Sequence, residues 1–226
     1  MINKDTQMCI SLAKKAGNFG CTIHNAAFKH MGLNFIYKSF STNDIEKSID
    51  GIRALGIRGA GITMPYKISV LDCVDKISED VQKIGSSNTI VNDNGVLTAF
   101  NTDSFSAYET LKKYSNVNEL FILGNGGFSK AVQFSANKLF SSVSVITRKN
   151  WKEISDIRDG VIFNCTPVEN IVTHNSNTFI DCIISTSSGR EISLIQASRQ
   201  FELYTGTSFP MNYIENNFDQ LMRIIP

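Results

Sequence analysis

With 226 residues the chain has length for one large domain or two small ones, and its 42% apolar and 19% charged composition is that of an ordinary globular protein. Lys and Arg number 22 against 21 Asp and Glu, a net charge of +1, which offers no basic face for nucleic acid and no charged patch for a membrane. No apolar run is long enough to span a bilayer and the N-terminus lacks a signal-peptide pattern, so a cytoplasmic protein is expected.

Along the chain, the spacing over Ile23 to Met31 predicts a helix, followed by a strand over Asn34 to Phe40. Asn43 is the expected cap of a second helix, Asp44 to Leu55, and Gly59 to Thr63 begins as a buried strand. Helix, strand, helix, strand is the alternation of a parallel α/β layer. Ser87 to Val91 and Val96 to Phe100 flank Asn92-Asp93-Asn94-Gly95, a strong hairpin turn signal. A helix is expected over Phe105 to Tyr114, a strand through Phe121 to Leu123, a helix over Ala131 to Leu139 and a strand over Val143 to Ile146. Ser193 to Phe201 and Asn212 to Ile224 read as helices that return to cover the first lobe. The expected architecture is α/β with two lobes and a cleft between them. An N-terminal parallel-sheet substrate domain covers 1–103, a Rossmann-type nucleotide domain 104–190, and C-terminal helices 191–226. The five cysteines (Cys9, Cys21, Cys73, Cys165, Cys182) are odd in number and lack paired CxxC spacing. Reduced thiols are therefore expected rather than disulfides or zinc, and the three histidines form no metal-ligand pattern with them.

The run from Phe121 to Ala131 carries the most chemistry. An apolar strand empties into Gly124-Asn125-Gly126-Gly127-Phe128, and a helix follows. That order sets a pyrophosphate on a helix N-terminus, where unpaired N–H groups and the positive end of the helix dipole meet the anion. Ser129 stands where the usual fingerprint has its third glycine. At the end of the next strand, an enzyme that prefers NAD usually carries Asp or Glu for the ribose 2′-hydroxyl. Here the sequence is Thr147-Arg148-Lys149-Asn150-Trp151-Lys152. Three cations and no carboxylate suit a 2′-phosphate, which makes NADP the expected cofactor. Trp151 is open to two readings, a cover for an adenine or plain packing.

Three stretches of the first lobe end in polar residues: Thr63 to Lys67, Gly85 to Thr89, and Asn101 to Asp103. In open α/β folds ligands collect at the carboxyl ends of strands. A lysine and an aspartate brought together there, Lys67 and Asp103, can pass a proton to or from a substrate hydroxyl, as hydride transfer from an alcohol requires. A lone lysine after Pro-Tyr is more often simply solvated.

The stretches Gly61 to Lys67, Gly85 to Thr89, Asn101 to Asp103 and Gly124 to Gly127 resemble, in order, four landmarks of the shikimate dehydrogenase family. Ile23-His24-Asn25 resembles a fifth, and Gly189 with Gln196 a sixth. The resemblance runs from about Leu12 to Gly206 and is nearest to the shikimate dehydrogenase-like branch. It implies reversible, NADP-dependent reduction of 3-dehydroshikimate to shikimate in the chorismate pathway. It further implies Lys67 as the catalytic acid–base with Asp103 as partner, and Thr63, Asn88 and Gln196 as substrate contacts. Gly124, Asn125, Gly126, Gly127 and Phe128 would hold the pyrophosphate, Thr147, Arg148 and Lys149 the 2′-phosphate, and Gly189 would lie near the nicotinamide. His24 reads as a structural cap. A small hydroxy acid is the expected partner of a chain that is a monomer or a homodimer.

Two departures stand out. Where the family usually carries two serines for the substrate carboxylate, this sequence has Asn18, which retains an amide donor, and Gly20. Asp181-Cys-Ile-Ile-Ser185 runs almost straight into Ser188-Gly189, so a proline loop and its helix are absent and the nucleotide domain is shortened. These departures motivate an alternative, a nucleotide- or metabolite-binding relative with little or no turnover.

Overall fold

A computed structural model describes residues 2–223, and the chain divides into two compact units, one formed by residues up to 102 and from 197 onward, the other by 103–196.

The first unit is built on a six-stranded sheet with strands β1 (Gln7–Ala13), β2 (Phe35–Ser41), β3 (Gly59–Ile62), β4 (Lys76–Ile77), β5 (Thr89–Asp93) and β6 (Val96–Phe100). Their order is β2-β1-β3-β5-β6-β4. The expected parallel layer is β2-β1-β3, and the predicted hairpin, β5 with β6, extends it in the antiparallel sense. Asn94 and Gly95 form its turn with φ of 54° and 91°, the left-handed conformations that a two-residue hairpin loop demands. Strand β1, which pairs on both sides, was not among the expected elements.

Helix α1 (Phe19–His30) starts four residues before the expected helix, and α2 (Ile45–Ala54) is capped by Asp44, not by Asn43. The Asp44 carboxylate accepts from the Lys47 N–H at 3.0 Å, and the Thr42 hydroxyl accepts from the Asp44 N–H at 3.0 Å, which settles the cap one residue later. One face of the sheet buries Ile10, Leu12, Ile49, Ile52, Ala60 and Ile90. Around α1 an aromatic group gathers: the His24 ring stacks on Tyr37 at 4.6 Å, and Phe28 stacks on Phe201 at 5.3 Å.

The second unit begins with α4 (Thr102–Leu111), one residue across the boundary from the first unit; α3 (Glu79–Ile84) belongs to the first. Then follow β7 (Glu119–Leu123), α5 (Gly127–Ala136), β8 (Ser142–Ile146), β9 (Val161–Asn164) and β10 (Thr178–Asp181). The sheet is wholly parallel in the order β10-β9-β7-β8. Alternate residues fill both faces, Leu120, Ile122 and Phe163 on one, Leu123, Ile146 and Ile162 on the other, as a sheet covered on both sides requires.

β10 passes into α6 (Ser187–Thr205) after a five-residue connection (182–186), with no helix between them. The chain thus runs from β10 almost straight into α6. Beyond residue 197 α6 belongs to the first unit, as does α7 (Met211–Arg223), which packs on α1. The C-terminal helices thus return to the first lobe as expected; Ile224, expected to end the last helix, lies outside the described residues.

Candidate functional site

In the first unit, the carboxyl ends of β1, β3 and β6 and the start of β5 lie along one sheet edge, because β5 is antiparallel to its neighbours. Four predicted site residues meet along this edge. Asn18 ends the loop after β1 at the N-cap of α1, exposed, with its side chain making no cap bond. Thr63 follows β3 and is exposed, its N–H held by the Leu12 carbonyl at 3.1 Å. Lys67 lies in the turns that follow, and its carbonyl accepts from the Ser87 N–H at 2.7 Å, which brings the lysine segment beside Ser87 and Asn88.

Asn88 is 1% exposed and sits in a dense polar network. Its Oδ1 accepts from the Thr102 N–H at 2.7 Å and the Thr89 hydroxyl at 3.0 Å, and its Nδ2 donates to Thr102 Oγ1 at 3.0 Å. Gln200, which the sequence reading missed, donates from Nε2 to Thr89 Oγ1 at 3.0 Å and to the Asn88 carbonyl at 3.2 Å. Its one signal was a place one helical turn beyond Gln196. A buried amide locked at both ends holds one orientation, so this network fixes which group Asn88 presents.

His24 beneath this edge is fully buried, and burial pushes its pKa from 6.5 down to about 4. Gln200 beside it opposes that shift, without reaching hydrogen-bond geometry at either ring nitrogen. A ring held neutral and sandwiched between aromatics is a packing residue and not the expected cap, because it lies inside α1 with neither nitrogen hydrogen-bonded.

In the second unit, the chain leaves β7 for β8 on one side and later enters β9 on the other. This reversal is the topological switch where open parallel sheets bind ligands. The glycine turn sits there. Gly124 has φ +98°, a conformation other residues rarely take, and a Cβ on it would lie 2.7 Å from Thr166 Cγ2. Gly126 caps α5, and a Cβ there would meet nothing within 4 Å. Space for a side chain is therefore open at Gly126, at the positive end of a ten-residue helix whose first turn holds no acidic residue. Asn125 is exposed, and Gly127 and Phe128 open the helix half-buried. Ser129, at the third-glycine position, is fully buried and donates to the Gly124 carbonyl at 2.7 Å. The serine thus ties the turn to the helix where a glycine would only let them pack.

At the end of β8, Asn150 Oδ1 accepts from the Thr147 N–H at 2.8 Å and from its hydroxyl at 3.2 Å, folding the basic loop back on itself and leaving Arg148 and Lys149 exposed. Trp151 packs against the cluster of Leu123, Ile146 and Ile154. Gly189 lies in the first turn of α6, where a Cβ would fall 2.0 Å from the Ile183 carbonyl oxygen, so close backbone packing alone requires glycine there. Asp103, 1% exposed, is the residue after Thr102 in the first turn of α4, and Gln196 is half-buried on α6. Among the described residues, no cluster of three or more His, Cys, Asp or Glu is arranged to hold a metal.

Residues 19–90 match the family described as the shikimate dehydrogenase substrate binding domain. A shikimate dehydrogenase-like protein of Haemophilus influenzae is 51% identical over 134 residues, 58% of this chain and 49% of that protein, so the match spans about half the length of this curated relative. Among solved structures, a shikimate 5-dehydrogenase-like protein superposes with a TM-score of 0.85 at 30% identity, covering 98% of this chain and all 100% of the other. A shikimate dehydrogenase crystallised with NADP+ gives a TM-score of 0.83 at 26% identity over 98% of each chain.

Proposed function

The chain belongs to the shikimate dehydrogenase family, and from that premise we propose that it is an NADP-dependent oxidoreductase. Its reaction is the reversible reduction of 3-dehydroshikimate, or a related cyclic keto acid, to shikimate. The observation that carries this reading is the glycine turn at the sheet's switch point, with open space over Gly126 and with Arg148 and Lys149 at the end of the adjoining strand.

NADP, when bound, supplies or accepts the hydride. The N–H groups of the turn from Gly124 to Phe128 hold its pyrophosphate, and Thr147, Arg148 and Lys149 its 2′-phosphate. Gly189 is assigned to the nicotinamide end. The remaining chemistry is a proton at the substrate oxygen, given or taken by Lys67 with Asp103 as its carboxylate partner. Thr63, Asn88 and Gln196 orient the ring hydroxyls, and Asn18 offers its amide to the carboxylate. Orientation of this kind supplies much of the rate in hydride transfer, because little else needs to move.

The short connection from β10 to α6 favours a second reading, ligand binding with little or no turnover. Calorimetric titration with NADPH and NADH, followed by an assay of shikimate oxidation with wild type and Lys67→Ala, separates the two. NADPH binding with turnover that drops by about 10²–10⁴ in Lys67→Ala supports the dehydrogenase. Tight NADPH binding without turnover supports the binding protein, and binding of neither nucleotide removes the dehydrogenase in favour of a metabolite-binding protein without turnover.

A further inference from the structure

We propose that Cys165 and Cys182 form a thiol pair that closes to a disulfide on oxidation. The last paired residues of parallel strands β9 and β10 are Asn164 and Asp181, and the Cys182 N–H continues the ladder by donating to the Asn164 carbonyl at 3.2 Å. One residue further along each strand stands a cysteine. Neighbouring strands run about 4.8 Å apart, inside the window of about 4.4–6.8 Å between Cα atoms that a disulfide spans.

The side chains also share a face. Phe163 and Ile180, two residues earlier on each strand, belong to one buried cluster, and both cysteines pack against it half-buried. Burial pushes the Cys165 thiol well above its ordinary range, and neighbouring Cys182, Asp103 and Asp181 push it the same way. Cys9, Cys21 and Cys73 belong to the other unit.

The pair adjoins the glycine turn. Thr166 follows Cys165, its Cγ2 lies against Gly124, and its carbonyl accepts from Cys182 Sγ at 3.9 Å. A peroxide is the oxidant class. Cys182 sulfur takes one peroxide oxygen to become a sulfenic acid as the O–O bond breaks and one water leaves. Cys165 sulfur then displaces the hydroxyl, forming the S–S bond and releasing a second water, so two thiols have lost two electrons and two protons.

Both cysteines lie in one tryptic peptide, 159–190, which contains no internal Lys or Arg. The test is to treat the whole protein with hydrogen peroxide, alkylate it after denaturation and weigh that peptide. The expected result is a peptide lighter by two hydrogens, unalkylated at both cysteines, and restored to double alkylation by prior reduction with dithiothreitol. In Cys182→Ser, Cys165 is expected to remain alkylatable after the same treatment. Double alkylation of the peptide from treated wild type would overturn the proposal. So would blockage of Cys165 that persists in Cys182→Ser, or blockage in wild type by added oxygen rather than by loss of hydrogen.

Discussion

Replacing Gly126 by Ala separates the folding of the glycine turn from its use. Gly126 has φ −88° and ψ −174°, extended backbone that alanine adopts readily, and the new methyl meets nothing within 4 Å. Two folding effects oppose each other. Alanine is the poorer N-cap by about 0.5–1 kcal/mol, while its narrower unfolded ensemble stabilises the fold by about 0.4–1 kcal/mol. The net change is expected to stay within about 0.5 kcal/mol, with a urea midpoint close to wild type. Binding has no such compensation. If the turn holds the pyrophosphate as proposed, the methyl stands where the anion would approach the start of α5. Loss of one charge-assisted hydrogen bond costs about 1.5–3 kcal/mol, so NADPH affinity should fall at least about ten-fold. Urea unfolding and calorimetric titration on the same preparation decide the matter. Wild-type NADPH affinity in a stably folded variant would refute the assignment of this turn to the pyrophosphate.

Other consequences are open to equally direct measurement. Gly124→Ala should behave differently from Gly126→Ala, losing about 1–3 kcal/mol of stability because φ is +98° and the methyl strikes Thr166; an unchanged urea midpoint would count against the strained turn. Arg148→Asp should weaken NADPH and favour NADH, and unaltered discrimination in paired titrations would remove Arg148 from the 2′-phosphate site. The His24 ring titrates near 6.5 when unfolded and at about 4 when folded, so between those values the unfolded chain binds the extra proton. Its contribution is complete above pH 6.5 and is lost as the pH falls through 4, on the order of 3 kcal/mol. Urea midpoints at neutral pH and pH 4 should therefore converge in His24→Phe, and equal acid losses in variant and wild type would contradict this.

The features most legible in the sequence were those fixed by local chemistry. Asn94-Gly95 signals its hairpin because few other dipeptides take two positive φ angles, and the Gly124 to Gly127 turn announces itself between an apolar strand and a helix. Strand β1 escaped notice because its seven residues mix Gln7, Cys9 and Ser11 with the apolar ones. Its identity comes from β2 and β3 on either side, which no local pattern records. The cap of α2 moved from Asn43 to Asp44 through the Thr42 hydroxyl, a contact made only once the turn has formed. Gln200 was invisible for a related reason: its partners, Asn88 and Thr89, are more than a hundred residues away in sequence. Ser129 departs from the glycine fingerprint, and its role, a bond to the Gly124 carbonyl, exists only in the folded turn.

Arg58 reaches from the start of β3 to the carbonyls of Leu203 and Tyr204 near the end of α6, and to that of Asn92. Its partners in α6 are 145 and 146 residues further along the chain. The first unit is therefore interrupted in sequence, while residues 103–196 of the second are continuous. During synthesis the interrupted unit waits with β3 and the aromatic face of α1 uncovered until α6 emerges, whereas the continuous unit has all its strands in hand beforehand. At a ribosomal rate of about 5–20 residues per second, that exposure lasts on the order of ten seconds. In the interval between making β3 and making α6 the first unit lacks its last helices, and uncovered apolar surface of that kind favours aggregation.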